Sequence, residues 1–244
     1  MSQFLPAYDL KTLVANLVTE DNEPVDNVFS AKQQRLLVEP LVSSWRPIDT
    51  ETGEPRTFFA DADVGVFNSV HQPPIVPDMF LSLDVELPEN PDFSVFRSYF
   101  VWEFGKVPDA AVEIVSNTKG GEISNKKNRY AQLGVQYYVV HDPFGSLSDE
   151  RLRVFELGFG KRYRQREDFS LPDVGLTLTL WRGEFEGFTE EWLRWCDAEG
   201  DLILTGAERA QLESERADNE AAARREAESE IEKLRAEILR IQGK

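Results

Sequence analysis

The sequence predicts an α/β domain with a charged helix at its C-terminal end, and three stretches carry that prediction. Val107 to Asp142, VPDAAVEIVSNTKGGEISNKKNRYAQLGVQYYVVHD, reads as strand, turn, helix and strand in about 35 residues, the length of a βαβ crossover. Leu152 to Glu156 followed by Lys161 to Arg164, with Gly158 and Gly160 between them, reads as an antiparallel hairpin. From Thr205 onward the composition turns to Glu, Arg and Ala without proline, which predicts a long helix.

Taken in order, the first 27 residues are polar and punctuated by Pro6 and Pro24, with room for a short helix around Leu10 to Val18. A helix is expected from Ser30, whose hydroxyl suits an N-cap, with Leu36, Leu37, Pro40 and Leu41 at its apolar end and Glu39 solvated. Pro47 to Pro55 is turn-rich. Thr57 to Phe67 alternates as a strand, with Ala60, Ala62, Val64 and Val66 on one side and Asp61 and Asp63 on the other. After the break at Pro73 and Pro74, Val76 to Glu86 is a strand introduced by Pro77, a position where the missing N–H is tolerated. Asp78 stands at its start, where a carboxylate can emerge from a sheet into a cleft. Leu87 to Arg97 is loop, and Tyr99 to Phe104 (YFVWEF) is an aromatic-rich strand that turns through Gly105 to Pro108 into the apolar run Ala110 to Val115. A helix bearing Lys126, Lys127 and Tyr130 stops at Gly134, and Tyr137 to Val140 is β-rich. Leu176 to Trp181 adds a strand, and Trp192 to Cys196 with Asp201 to Leu204 closes the domain. The expected organisation is a domain over 1–204 and a helix over 205–244.

With 244 residues, 41% of them hydrophobic, the chain has material for the core of one domain. No run approaches ~18 apolar residues, and no basic segment leads into an apolar one at the start, so neither a membrane span nor a signal peptide is expected. The single cysteine, Cys196, forms no internal disulfide, and a cytoplasmic location follows as the expectation. A net charge of -17 speaks against coating nucleic acid through bulk electrostatics. Ten acidic and eight basic residues lie from Thr205 onward, leaving -15 on the rest, so action on nucleic acid must rely on local positive charge and metal ions. In the tail, Ile231, Leu234, Ile238 and Ile241 recur at steps of 3, 4 and 3, a heptad seam. Further back the seam meets Ala227, Arg224, Glu220 and Ala217, which are poor knobs. The tail is therefore either a weak coiled coil that pairs two copies or a solvated single helix.

The chemistry centres on Glu113, a lone acid in an apolar strand, where an unpaired charge is costly. With Asp78 on a neighbouring strand and pointing to the same side, it offers hard oxygen ligands that suit Mg2+ or Mn2+ better than zinc. Such a cation lowers the pKa of bound water and offsets charge on phosphorus, and a nearby ammonium can orient the water. Position 115, facing the same way as Glu113, would be the simplest place for that amine, but it is Val. On the following helix Ile123, Lys126, Tyr130 and Leu133 share a stripe that turns Lys126 towards the sheet; Lys127 lies one position round. Lys127 is the second choice, and both lysines are also readable as ordinary surface residues. His71 and His141 form no ligand-spaced cluster with Cys196, Ser116 lacks a nucleophile-elbow context, and Gly120-Gly121 is not a P-loop. Lys119, Arg129, Lys161, Arg162, Arg164 and Arg166 are further cations for phosphate contact, the last four also being plain hairpin charges.

Pro77-Asp78, then E-I-V-S-N-T at 113–118, K-x-x-x-Y at 126–130 and G-V-x-Y-Y-V-V at 134–140 together resemble the Uma-type family of restriction endonucleases, within the PD-(D/E)xK nuclease superfamily. The resemblance covers most of residues 25–205. It implies a restriction-endonuclease-like core, a mixed sheet flanked by helices, with Asp78 and Glu113 as ligands of Mg2+ (or Mn2+) and the backbone carbonyl of Ile114 completing the site. The superfamily's E-x-K is E-I-V here, which matches the form with a migrated lysine and makes Lys126 the inferred amine. The resulting expectation is a Mg2+-dependent endonuclease acting on DNA. The alternative is a catalytically inactive nuclease-fold scaffold or binding protein that assembles through the C-terminal helix.

Overall fold

The computed structural model describes residues 27–87, 90–92, 96–116 and 121–242, without the side chains of 121–123, 239 and 241. The helix expected around Leu10 to Val18 and the cation Lys119 lie outside the described residues. Two compact units divide the chain, 1–203 and 204–244.

The first unit is built on a six-stranded mixed sheet. Its strands are β1 (Phe58–Asp61), β3 (Met79–Leu83), β5 (Ala110–Ile114), β6 (Tyr137–His141), β7 (Leu152–Gly158) and β8 (Arg162–Gln165), neighbours in that order. Only β5 and β6 run parallel; the other neighbours are antiparallel. The parallel pair is joined by α3 (Gly121–Leu133), which ends where Gly134 takes a left-handed φ of 102° that an L side chain rarely adopts. A short parallel pair, β2 (Val66–Phe67) with β4 (Tyr99–Phe100), and an antiparallel sheet of β9 (Ser170–Leu171), β10 (Leu176–Phe185) and β11 (Phe188–Cys196) complete the strands.

Both faces of the central sheet are covered, which is why β5 and β6 read as nearly continuous apolar runs. On one face Ala111, Tyr138, Val140 and Phe155 pack with Tyr130 of α3. On the other, Val112, Ile114, Val139 and Val154 meet Leu37 and Leu41 of α1 (Val28–Ser44) together with Leu178, Leu193 and Trp195 of the β10–β11 sheet. Gln33 of α1 locks this second layer. Its Nε2 donates to the Leu193 carbonyl at 2.8 Å while its Oε1 accepts from the Leu193 N–H at 2.8 Å, and the Trp195 indole donates to the Leu37 carbonyl at 2.9 Å.

Several boundaries differ from the sequence expectation. The N-cap of α1 is Asn27, not Ser30: the Asn27 side chain accepts from the Ser30 N–H at 2.9 Å, three residues on, as a cap does. The helix also runs through Pro40 to Ser44. The stretch 57–67 is two strands rather than one, broken by a bend in which Asp63 has a φ of 58°. YFVWEF divides into β4 and a helical turn, α2 (Val101–Phe104), closed by Gly105 at φ 74°. Short apolar runs do not announce their period, and the left-handed glycine is what turns this one. The strand from Leu176 extends to Phe185 because a tight turn at Glu186 and Gly187 (φ 47° and 79°) folds it onto β11.

In the second unit, α4 (Gly206–Gln242) begins with a reciprocal cap. The Thr205 hydroxyl accepts from the Glu208 N–H at 3.1 Å, and the Glu208 carboxylate accepts from the Thr205 N–H at 2.8 Å. Ile231, Leu234 and Ile238 are 48%, 50% and 52% exposed.

Gln33→Leu keeps the volume but leaves the buried Leu193 N–H and C=O without partners. We expect a loss of about 2–5 kcal/mol, read as a lower urea midpoint with an unchanged slope.

Candidate active site

Antiparallel register places Phe80 opposite Ala111 and Met79 opposite Val112, so Asp78, one step beyond β3, comes opposite Glu113. Two carboxylates thus meet at one end of neighbouring strands, on the face that α3 covers. The Ile114 N–H donates to Asp78 Oδ2 at 2.5 Å, and Gln34 Nε2 from α1 donates to Oδ1 at 3.3 Å. Glu113 is buried and has a donor on each oxygen: Lys126 Nζ at 2.8 Å from Oε2 and the Tyr130 hydroxyl at 2.7 Å from Oε1. Lys126 and Tyr130 lie four residues apart on α3, about one helical turn, so one helix face presents both.

A clasp keeps α3 over this sheet end. Lys126 Nζ also donates to the Val76 carbonyl at 3.3 Å, and Arg129 Nη2 donates to the carbonyls of Pro73 and Pro74 at 3.2 and 2.9 Å. The segment leading into Asp78 is thereby tied to the helix that holds Glu113. Pro74 cannot donate to a ladder, and the helix makes use of its bare carbonyl instead.

Electrostatics follow from burial. Loss of water pushes the Glu113 carboxyl up to about 7 and the Asp78 charge pushes the same way, while Lys126 and Tyr130 pull it down. Burial, then the Glu113 charge, raises the Tyr130 phenol well above its ordinary value, so Tyr130 acts as a donor throughout the physiological range. His141, in register with Ile114, is fully buried and stays neutral, its pKa lowered to about 4 chiefly by loss of water.

The donor set fits a hard divalent cation. Among the described residues no three His, Cys, Asp or Glu side chains converge, so beside Asp78 and Glu113 a cation would draw on other oxygens or on water, and Ile114 at the end of β5 is the adjacent residue. A carboxylate oxygen that accepts one hydrogen bond keeps lone-pair capacity for a cation. After burial, the Asp78 charge is the next cause of the raised Glu113 carboxyl, so the two carboxylates repel one another, and Lys126 pairs with Glu113.

The structure therefore brings Asp78, Glu113, Ile114 and Lys126 together, and separates Lys127 from them: its ammonium lies 3.3 Å from the Phe155 ring centroid. Ile114 contributes its N–H to Asp78. Three of the other cations are engaged elsewhere: Arg129 as described, Lys161 with the Gln132 carbonyl at 2.6 Å, and Arg166 in ion pairs with Glu156 and Asp168. Arg162 and Arg164 are exposed on β8. Tyr130, Gln34 and the Val76 carbonyl stand at the site in addition to the groups that the sequence singles out. The spacing of Tyr130 from Lys126 is a signal for the first; nothing in the sequence links Gln34 to an acid 44 positions on.

A mixed sheet flanked by helices, with two carboxylates and an amine at the end of its central strands, defines the chain's first unit as a restriction-endonuclease-like core. The model of the Uma2 family, described as putative restriction endonuclease, matches residues 22–182, well over half of the chain, and the chain belongs to that family. No curated protein matches it.

The raised Glu113 carboxyl links stability to pH. The folded state holds this proton more tightly than the unfolded chain, so its contribution is complete below about pH 4.5 and is lost as pH rises through about 7. In EDTA, wild type should lose on the order of a few kcal/mol across that window relative to Glu113→Gln, checked by unfolding curves at several pH values.

Proposed function

We propose that this protein is a Mg2+- or Mn2+-dependent endonuclease that hydrolyses DNA phosphodiester bonds. The observation that carries the reading is the meeting of Glu113, Asp78 and Lys126 at one sheet end, from segments far apart in sequence. Family membership supports it. The single cysteine is buried and suits a reducing compartment such as the cytoplasm.

Asp78 and Glu113, with the Ile114 carbonyl, would hold the cation. A bound Mg2+ supplies Lewis acidity towards the phosphate and an activated water. The protein's own groups do the positioning. The Ile114 N–H and Gln34 hold Asp78 in one orientation, and Tyr130 holds Glu113. Lys126 keeps an ammonium at the edge of the carboxylate pair, about a quarter exposed, where it can orient the attacking water or oppose charge developing on phosphate oxygens. Water attacks phosphorus, the P–O bond to the leaving strand breaks, and the departing oxygen takes a proton.

Two copies would assemble through α4, whose half-exposed Ile231, Leu234 and Ile238 form a stripe with no described partner within the helix. Nucleases that cut both strands gain from such pairing.

Calorimetry of Mg2+ or Mn2+ with wild type and Glu113→Ala should show binding lost in the variant. Lys126→Met should fold and bind the cation but cleave supercoiled DNA at least about 10²-fold more slowly. Equal cleavage by both variants would remove the reading. Wild type should sediment as a dimer at micromolar concentration and a chain ending at residue 203 as a monomer.

A further inference from the structure

Outside the carboxylate pair, the same face of the sheet holds two cations that pair with no acid among the described residues. Register carries a row across three strands: Glu113 on β5 opposes Val140 on β6, and Val140 opposes Arg153 on β7. Residues in one row share a face, so Arg153 lies on the Glu113 side, two strand spacings or roughly 10 Å away. Its Nε and Nη2 are buried and have no hydrogen-bond partner among the described residues. That is unusual, because guanidinium N–H groups are strong donors and buried polar groups are nearly always satisfied.

Lys127 stands beside it. The helical step that turns Lys126 onto Glu113 turns Lys127 onto Phe155, two residues along β7 from Arg153 and on the same face. Its ammonium is shifted towards neutrality, first by burial and then by the Arg153 charge, so the two cations act on one another. Neither takes part in any ion pair among the described residues, in a chain that carries 44 acidic residues against 27 basic ones. Two mutually repelling cations kept together, with buried donors unused, form a site for an anion from outside.

We propose that Lys127 and Arg153 bind a phosphate group of the nucleic-acid strand, adjacent to the one held at Asp78 and Glu113. The assignment to a strand rests on the endonuclease reading; the anion site itself does not. Arg153 offers a planar pair of N–H donors and Lys127 a point charge, complementary means of holding a phosphate oxygen pair. Such a site gives the acidic body the local attraction that its net charge denies it, and it sets which stretch of backbone lies over the carboxylates.

The test uses the full chain in Ca2+ without Mg2+, with a fluorescent DNA duplex followed by anisotropy across a salt series. Arg153→Gln and, independently, Lys127→Gln should each weaken binding several-fold at every sequence tried and reduce the slope of log K against log salt by about 1. Calorimetric Mg2+ binding should be unchanged in both, in contrast to Glu113→Ala. A second arm measures stabilisation by inorganic phosphate, expected for wild type and reduced in both variants. Unchanged DNA affinity and slope in both variants, with wild type binding DNA, overturns the proposal. Phosphate stabilisation without any DNA binding keeps the anion site but overturns its assignment to a strand, and counts against the endonuclease reading. Absence of both, with Mg2+ bound normally, overturns the anion site and leaves the carboxylate site standing.

Discussion

A carboxylate buried in a sheet must be given donors, and the arrangement of this domain follows from how Glu113 receives them. It is one residue from the end of β5, covered on its own face by α3 and backed on the other by the main core. Two of its donors, Lys126 and Tyr130, come from a single helix face, so α3 must cross directly over the strand end. Any shift of that helix by a residue would leave a buried charge unmatched, at a penalty far greater than that of a lost apolar contact. The parallel connection from β5 to β6 is thus held by polar geometry as well as by the packing of Tyr130 against Tyr138.

The same helix governs the approach to Asp78. Arg129 and Lys126 bind the carbonyls of Pro73, Pro74 and Val76, the segment that delivers Asp78 to the sheet. From the far side, α1 divides two adjacent glutamines between two tasks: Gln33 bonds the backbone of β11, and Gln34 reaches Asp78. A helix whose main business is to cover the core therefore also touches the site. Neighbouring residues on a helix point about 100° apart, and this angle separates the tasks of Gln33 and Gln34 as it does those of Lys126 and Lys127.

Much of this was legible in the chain. The strand–turn–helix–strand unit of 107–142 announces itself through an apolar run, a helical stripe and a glycine stop, because each has its own period and its own terminator. Glu113 stands out for a related reason: one acid within AAVEIV is an exception to the pattern of a buried strand, and exceptions of that kind carry energy. The misreadings share a different cause. YFVWEF and the stretch 57–67 are short, and their breaks are set by single left-handed residues, Gly105 and Asp63, whose backbone angle depends on what surrounds them. Asn27 displaced Ser30 as the cap because the helix begins where its first turn finds packing, and both residue types cap well.

The sequence by itself determined the inventory: an α/β order of elements, a strand with a misplaced acid, a helix with two lysines and a tyrosine at turn spacing, and a charged C-terminal helix. Tertiary structure alone decided the meetings. Gln34 and Asp78 are 44 residues apart, Glu113 and Arg153 are joined only by strand register, and the Val76 carbonyl lies 50 residues from Lys126. Local periodicity records which way a side chain faces on its own element; register and helix placement are settled by the burial of the whole sheet, and those settle what each side chain faces.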